Sequence, residues 1–165
     1  MAEDDMDVED GGKMLKHQQI KLFKYTSGKQ DKQTVQRVKK LGGTDKVDTV
    51  IDSKFDAATY EGQAHHNKRE GLGVYKWPGG FANYIGDFKN DKKHGIGYVS
   101  YGTEKTYYKG AWNNDMRNGD GEMVWNNGET YIGEWEKDVM HGYGIFTWPD
   151  GSTYEGMWEK GEKSG

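Results

Sequence analysis

From Tyr60 onward, large and small residues alternate along the chain. In YIGEWEKDVMHGYGIFTWPDGST, Tyr131 to Thr153, Tyr131, Gly133 and Trp135 alternate with Ile132 and Glu134, and Gly144, Phe146 and Trp148 alternate with Ile145 and Thr147. Period-two alternation predicts two short strands. The polar, glycine-bearing EKDVMHG reads as their connection, and PDGST has turn composition. The same pattern opens at Tyr60, Tyr84 and Tyr108, and YEGMWEKGEKSG begins a fifth, half-length unit at Tyr154. The opening tyrosines are separated by 24, 24, 23 and 23 residues, which marks an array of one supersecondary unit stacked on itself. The predicted units are 60–83, 84–107, 108–130, 131–153 and the partial 154–165.

The spacing also predicts a register. Setting Trp135 opposite Gly144 in an antiparallel pair places Gly133 against Phe146 and Tyr131 against Trp148. At the next junction Trp148 meets Tyr154, Phe146 meets Gly156, and Gly144 meets Trp158. Rings then lie over glycines on one face and fill the holes that glycines leave in a strand. That face carries Tyr84, Phe88, Tyr101, Tyr108, Trp112, Trp125, Tyr131, Trp135, Phe146, Trp148, Tyr154 and Trp158, with Tyr60, Tyr75 and Trp77 at its start. The other face, with Glu61, Ile85, Lys109, Ile132, Glu134, Ile145 and Glu155, is expected to be mostly solvated. On this register Gly133→Val displaces Phe146, and Glu134→Val is nearly neutral.

Composition sharpens the picture. Of 165 residues only 33% are hydrophobic, yet 22 are Phe, Trp or Tyr and 25 are Gly. Disordered chains are poor in aromatics, so disorder alone does not account for this. The absence of Cys excludes a disulfide scaffold and a thiolate metal site. No apolar run reaches the ~20 residues of a membrane span, and Met1–Asp10 is acidic, unlike a secretory leader.

Residues 1–59 form a charged tail. Glu3, Asp4, Asp5, Asp7, Glu9 and Asp10 give −6, Lys13 to Lys46 give +8, and Asp48, Asp52 and Asp56 against Lys54 give −2. Such blocks predict a mostly irregular, solvated segment. Val35, Val38 and Leu41 at spacings of three, followed by Gly42 and Gly43, predict a short basic helix over 31–41 carrying Lys32, Arg37, Lys39 and Lys40. Val47, Val50, Ile51 and Phe55 are expected to cover the first edge of the sheet.

A unit of form Tyr-x-Gly-x-Trp followed by His-Gly-x-Gly resembles the MORN repeat (membrane occupation and recognition nexus). Departures include Ala64 at the first unit's aromatic site, and Glu70 and Asn118 where His94 and His141 stand in other units. The resemblance implies an all-β fold: an elongated, single-layer antiparallel sheet of stacked hairpins with an aromatic groove along one face. It also implies a non-catalytic scaffold that binds proteins. Repeat-only members with a short tail resemble components of the ciliary and flagellar axoneme, especially radial spokes, which places this chain in the cytoplasmic cytoskeleton. Cortical scaffolds and phosphoinositide-binding membrane tethers are the alternative, acting here through the basic tail.

The residues agree with a binding role. A single-layer sheet leaves a long aromatic surface open, and such patches mark binding sites for a helix or an extended peptide. Nine strands at ~4.8 Å extend about 40 Å. Free edges invite strand addition by another protein or by a second copy. The repeat part has 12 basic against 16 acidic residues, which disfavours an anionic lipid surface. The basic stretch has no interleaved aromatics beyond Phe23 and Tyr25, which argues against nucleic acid. His94 and His141 recur beside glycines and are expected to stabilise turns. His65 and His66 lack the convergent partners that zinc requires, so no cofactor or metal is expected. Gly71-Leu72-Gly73 and its equivalents start strands and do not precede helices, which is wrong for a phosphate loop. An enzyme is not expected.

Overall fold

In the computed structural model the structure describes residues 58–102 and 105–165. The 31–41 segment, the basic residues Lys32, Arg37, Lys39 and Lys40, and the Val47–Phe55 cluster lie outside the described residues. The rest is one antiparallel sheet of ten strands in chain order. These are β1 (Thr59–His65), β2 (Lys68–Lys76), β3 (Ala82–Lys89), β4 (Lys92–Tyr101), β5 (Tyr107–Asn113), β6 (Met116–Val124), β7 (Thr130–Glu136), β8 (Val139–Thr147), β9 (Thr153–Glu159) and the short β10 (Glu162–Lys163). Only consecutive strands share extensive contacts. The expected single-layer, all-β stack of hairpins is what forms.

Each unit is a hairpin closed by a two-residue turn. His66–Asn67, Asn90–Asp91, Asn114–Asp115 and Lys137–Asp138 all have positive φ, between 47° and 70°. Two left-handed residues give the turn a twist that matches the right-handed twist of the strands. Asn and Asp adopt that conformation at little cost, so the ND pairs of the second and third units favour the turn locally.

The predicted register is corrected by two residues. Gly133 faces Gly144, Tyr131 faces Phe146, and Trp135 faces Met140. At the next junction Gly144 faces Gly156, Phe146 faces Tyr154, and Gly142 faces Trp158. EKDVMHG, expected to join the two strands, is itself largely paired. Glu136 and Val139 pair directly around the tight turn, and two extra residues, Gly142 and Tyr143, bulge from β8. Extending the ladder pairs backbone groups that an open loop would leave to solvent. The bulge has its own acceptor: Glu134 Oε1 takes the Tyr143 N–H at 3.1 Å. Asp87 Oδ2 takes the Ile96 N–H at 3.0 Å, and Gln63 Oε1 the Leu72 N–H at 2.8 Å. Glu134 therefore has a structural duty, and its replacement by Val is not neutral. A shift of two leaves every side chain on its predicted face, because the strand period is two.

The other face is less solvated than expected. Lys109 and Ile132 are each only 6% exposed. Glu61, Val74, Ile85, Tyr98, Lys109, Glu122, Ile132, Ile145 and Glu155 run in one line across the strands. Neighbours in such a line cover one another.

Candidate partner-binding face

The aromatic face is built on a row of glycines. Gly62, Gly73, Gly86, Gly97, Gly110, Gly121, Gly133, Gly144 and Gly156 are paired strand to strand across the sheet. Into that trough fold the rings of Tyr60, Tyr84, Tyr108 and Tyr131, each lying along its own strand. A Cβ placed on Gly144 would sit 2.4 Å from Tyr131 Oη and 2.5 Å from its Cε2. Each hydroxyl donates to the carbonyl three residues on: Tyr84 to Asp87 O at 2.8 Å, Tyr108 to Ala111 O at 3.0 Å, Tyr131 to Glu134 O at 2.9 Å. Ring does cover glycine, but along the strand and diagonally. Directly across the junctions, Phe88, Trp112, Trp135 and Trp158 face Gly71, Gly95, Gly119 and Gly142.

These rings interlock. Tyr60, Phe88, Tyr84, Trp112, Tyr108, Trp135, Tyr131, Trp158 and Tyr154 form one continuous edge-to-face chain with centroids 5.0–5.6 Å apart. This is the arrangement that ring quadrupoles favour. The indole N–H groups of Trp112, Trp135 and Trp158 donate to Gly97 O, Gly121 O and Gly144 O at 3.2–3.4 Å. Tyr84, Tyr108 and Tyr131 are fully buried. Burial pushes the Tyr60 phenol up to about 12 and raises those of Tyr84, Tyr108 and Tyr131 as well.

The residues predicted to line a groove thus divide in two. Tyr84, Phe88, Tyr108, Trp112, Tyr131, Trp135 and Trp158 are buried in the ring chain, and Phe146 is nearly so. Tyr101 is exposed, and Trp125, Trp148 and Tyr154 are half-buried. Trp77, Tyr101, Trp125 and Trp148 recur at spacings of 24, 24 and 23, at or just past the ends of β2, β4, β6 and β8. They border one long side of the sheet. This open ring row is the accessible part of the aromatic face.

A second stripe escaped the sequence reading. The Arg117 guanidinium carbon lies 4.3 Å from the Trp135 ring centre, Lys93 Nζ 4.4 Å from Trp112, and Lys163 Nζ 4.3 Å from Trp148. Arg69 sits 4.9 Å from Tyr75 and 5.2 Å from Phe88. At these distances cation and ring attract. Arg69, Lys93, Arg117, Met140 and Lys163 keep the period of 24, 24, 23 and 23, two residues before the first glycine of each Gly-x-Gly or at the equivalent place in the last unit. That period was the available signal.

The turn acids tie units together through this stripe. Asp91 Oδ1 accepts the Arg69 backbone N–H at 2.8 Å and pairs with its side chain at 3.3 Å. Asp138 does the same for Arg117, at 2.9 Å in both contacts. Asp115 accepts the Lys93 N–H at 2.8 Å. In the first and third units the position before the Gly-x-Gly also reaches the next turn: Glu70 accepts Asn90 N–H at 2.8 Å, and Asn118 accepts Lys137 N–H at 3.4 Å. His94 and His141 occupy that position in their own units. Among the described residues no cluster of His, Asp and Glu could hold a metal ion.

The MORN-repeat profile matches residues 60–81, 84–103, 108–130, 131–153 and 154–165, more than half of the chain. The chain belongs to the MORN-repeat family. No curated protein matches it. Each complete MORN unit here supplies one folded-over tyrosine, two glycines of the trough and one ring of the open row. The array is therefore a binding scaffold whose rigid bed and accessible rings come from the same repeat.

Proposed function

We propose that this MORN protein is a non-catalytic assembly subunit that holds a helix or extended segment of another protein against its open ring row, with strand addition at the sheet edges as a second mode of contact. The observation that carries this reading is the recurrence of a partly open ring in unit after unit, with nothing layered over it among the described residues. Equivalent rings lie two strands apart, roughly 10 Å. Aromatic anchors bury much area with few rotors to freeze, and the interlocked chain beneath them is already rigid, so little order remains to be imposed on binding. The resemblance of a repeat array plus a short charged tail to axonemal components makes a ciliary or flagellar complex such as a radial spoke the proposed setting.

The test compares native complexes recovered with the wild-type chain and with the triple variant Tyr101→Ala, Trp125→Ala, Trp148→Ala. The variant is expected to melt lower, because Trp125 and Trp148 also pack on Phe146 at 5.8 and 4.9 Å, yet to remain folded while losing partners that the wild type retains. An unchanged partner set would overturn the reading. Co-sedimentation with vesicles rich in anionic lipid separates the tether alternative: lipid binding lost on replacing Lys32, Arg37, Lys39 and Lys40 by Ala would favour it.

A further inference from the structure

We propose that the open ring row takes a proline-rich segment of a partner in the polyproline II conformation, with every third residue laid on one ring. This rests on the reading of the row as a partner-binding surface and names the kind of partner it fits.

The spacing of the rings selects that conformation. Trp77, Tyr101, Trp125 and Trp148 stand at or just past the ends of every second strand, β2, β4, β6 and β8. Strands ~4.8 Å apart put successive rings ~9.6 Å from one another, about 29 Å over the whole row. A polyproline II helix has three residues per turn and a rise of ~3.1 Å, so its same-face residues recur every ~9.3 Å. Over all four rings its misfit is about 1 Å. An α-helix returns to nearly the same face after seven residues, ~10.5 Å, and is by then turned about 20°. Over the row it is out of step by about 3 Å and 60°. An extended strand shows one face every ~6.6–6.8 Å, and a step of three residues points away from the sheet.

The hydrogen bonds of the row point to the same partner. Its backbone is already engaged within each junction. The N–H groups of Trp77, Tyr101, Trp125 and Trp148 donate to Ala82 O, Thr106 O, Glu129 O and Ser152 O at 2.9–3.0 Å. The carbonyls of Trp77, Trp125 and Trp148 accept from the N–H of Gly80, Gly128 and Gly151 at 3.0–3.2 Å. A strand laid along this side therefore meets no open ladder.

What the row does offer is donors. Buried Trp112, Trp135 and Trp158 spend their indole N–H groups on glycine carbonyls. Trp77, Trp125 and Trp148 make no indole hydrogen bond among the described residues. An indole N–H can only donate. Lys163 Nζ, 4.3 Å from the Trp148 ring centre, is a further donor at that end. A proline-rich segment is the electrostatic complement. Each proline lacks the N–H and keeps its carbonyl, and the polyproline II backbone makes no internal bonds, so its acceptors face outward. Its fixed φ also leaves little order to impose on docking.

The test titrates the isotope-enriched full chain with a twelve-residue oligoproline and, in parallel, with an alanine-rich helical peptide of the same length. The chain has six Trp, and their indole N–H signals separate the two classes of ring. Oligoproline is expected to shift Trp77, Trp125 and Trp148 and to leave Trp112, Trp135 and Trp158 in place. Affinity should rise with each three prolines up to about ten residues, the span of the row, and level off beyond. Trp125→Ala should weaken binding about tenfold. Trp125→Phe keeps the packing on Phe146 and removes only the donor, so it should weaken binding about threefold with the fold intact. Tighter binding of the helical peptide, shifts confined to the buried indoles, or no shift at all would overturn the proposal. If oligoproline fails to bind while the Tyr101, Trp125, Trp148 variant loses partners, the polyproline assignment fails and the scaffold reading stands. If oligoproline binds the row and that variant keeps its partners, the scaffold reading fails and the polyproline site stands.

Discussion

Gly144→Ala adds one methyl group at the centre of the trough. The Cβ would lie 2.4, 2.5 and 2.6 Å from Oη, Cε2 and Cζ of Tyr131, and these are its three nearest atoms. The clash is thus with a ring that is fully buried and cannot swing into space. Displacing Tyr131 disrupts its edge-to-face contacts with Trp135 at 5.2 Å and Trp158 at 5.4 Å, and its 2.9 Å hydrogen bond to Glu134 O. At about 0.5–1.5 kcal/mol for each ring pair and about 1 kcal/mol for the hydrogen bond, the expected cost is about 3 kcal/mol. In a Tyr131→Ala background the obstacle is gone, and the same methyl should cost less than about 1 kcal/mol. Denaturant midpoints for the wild type, both single variants and the double variant close the cycle and give a coupling of about 2 kcal/mol. Gly133→Ala is the control. Its Cβ would meet Gly144 Cα at 2.5 Å as well as Tyr131, so removing the ring should rescue it only in part. Equal costs for Gly144→Ala with and without the Tyr131 ring would refute the idea that these glycines exist to seat tyrosines.

Glu134→Val should cost about 1–2 kcal/mol by leaving the half-buried Tyr143 N–H without its acceptor, while Glu134→Gln should be close to neutral; equal midpoints for the two would contradict the bulge-capping role. Arg117→Met should cost under about 1 kcal/mol, because Met140 already fills that place in the fourth unit and the Arg117–Asp138 pair is partly exposed. Asp138→Ala should cost more, since the Arg117 backbone N–H loses its acceptor too, and the reverse order of midpoints would count against the turn ladder. The raised tyrosines predict alkaline instability. Folded Tyr60, Tyr84, Tyr108 and Tyr131 keep protons that the unfolded chain releases near pH 10, so their contribution is complete below pH 10 and is lost as pH rises through the folded values. Each should remove about 1.4 kcal/mol per pH unit above 10, and a stability profile flat from pH 9 to pH 11 would show that these phenols are not buried.

The repeat, its two strands per unit and the face taken by each ring were legible in the sequence, because period and alternation are properties of single positions. Tyr131, Gly133 and Trp135 share a side whatever they pair with. The cation stripe was legible in principle, since Arg69, Lys93, Arg117 and Lys163 keep the same period, but a charged residue beside a turn reads as solvated until a ring is seen beneath it. Pairing was not legible. Whether Gly144 faces Trp135 or Gly133 depends on where the chain reverses and on whether it bulges, and both are decided by backbone hydrogen bonds that leave no trace in side-chain alternation. The division of the aromatic face into buried and open rings likewise arose only in three dimensions. Trp135 and Trp125 look alike along the chain, yet one is wedged between Tyr108 and Tyr131 from neighbouring units and the other stands at the sheet's border. Local order thus wrote the strands and their sides. Contacts between units, absent from any single unit, chose the register and left one ring per complete unit within reach of another chain.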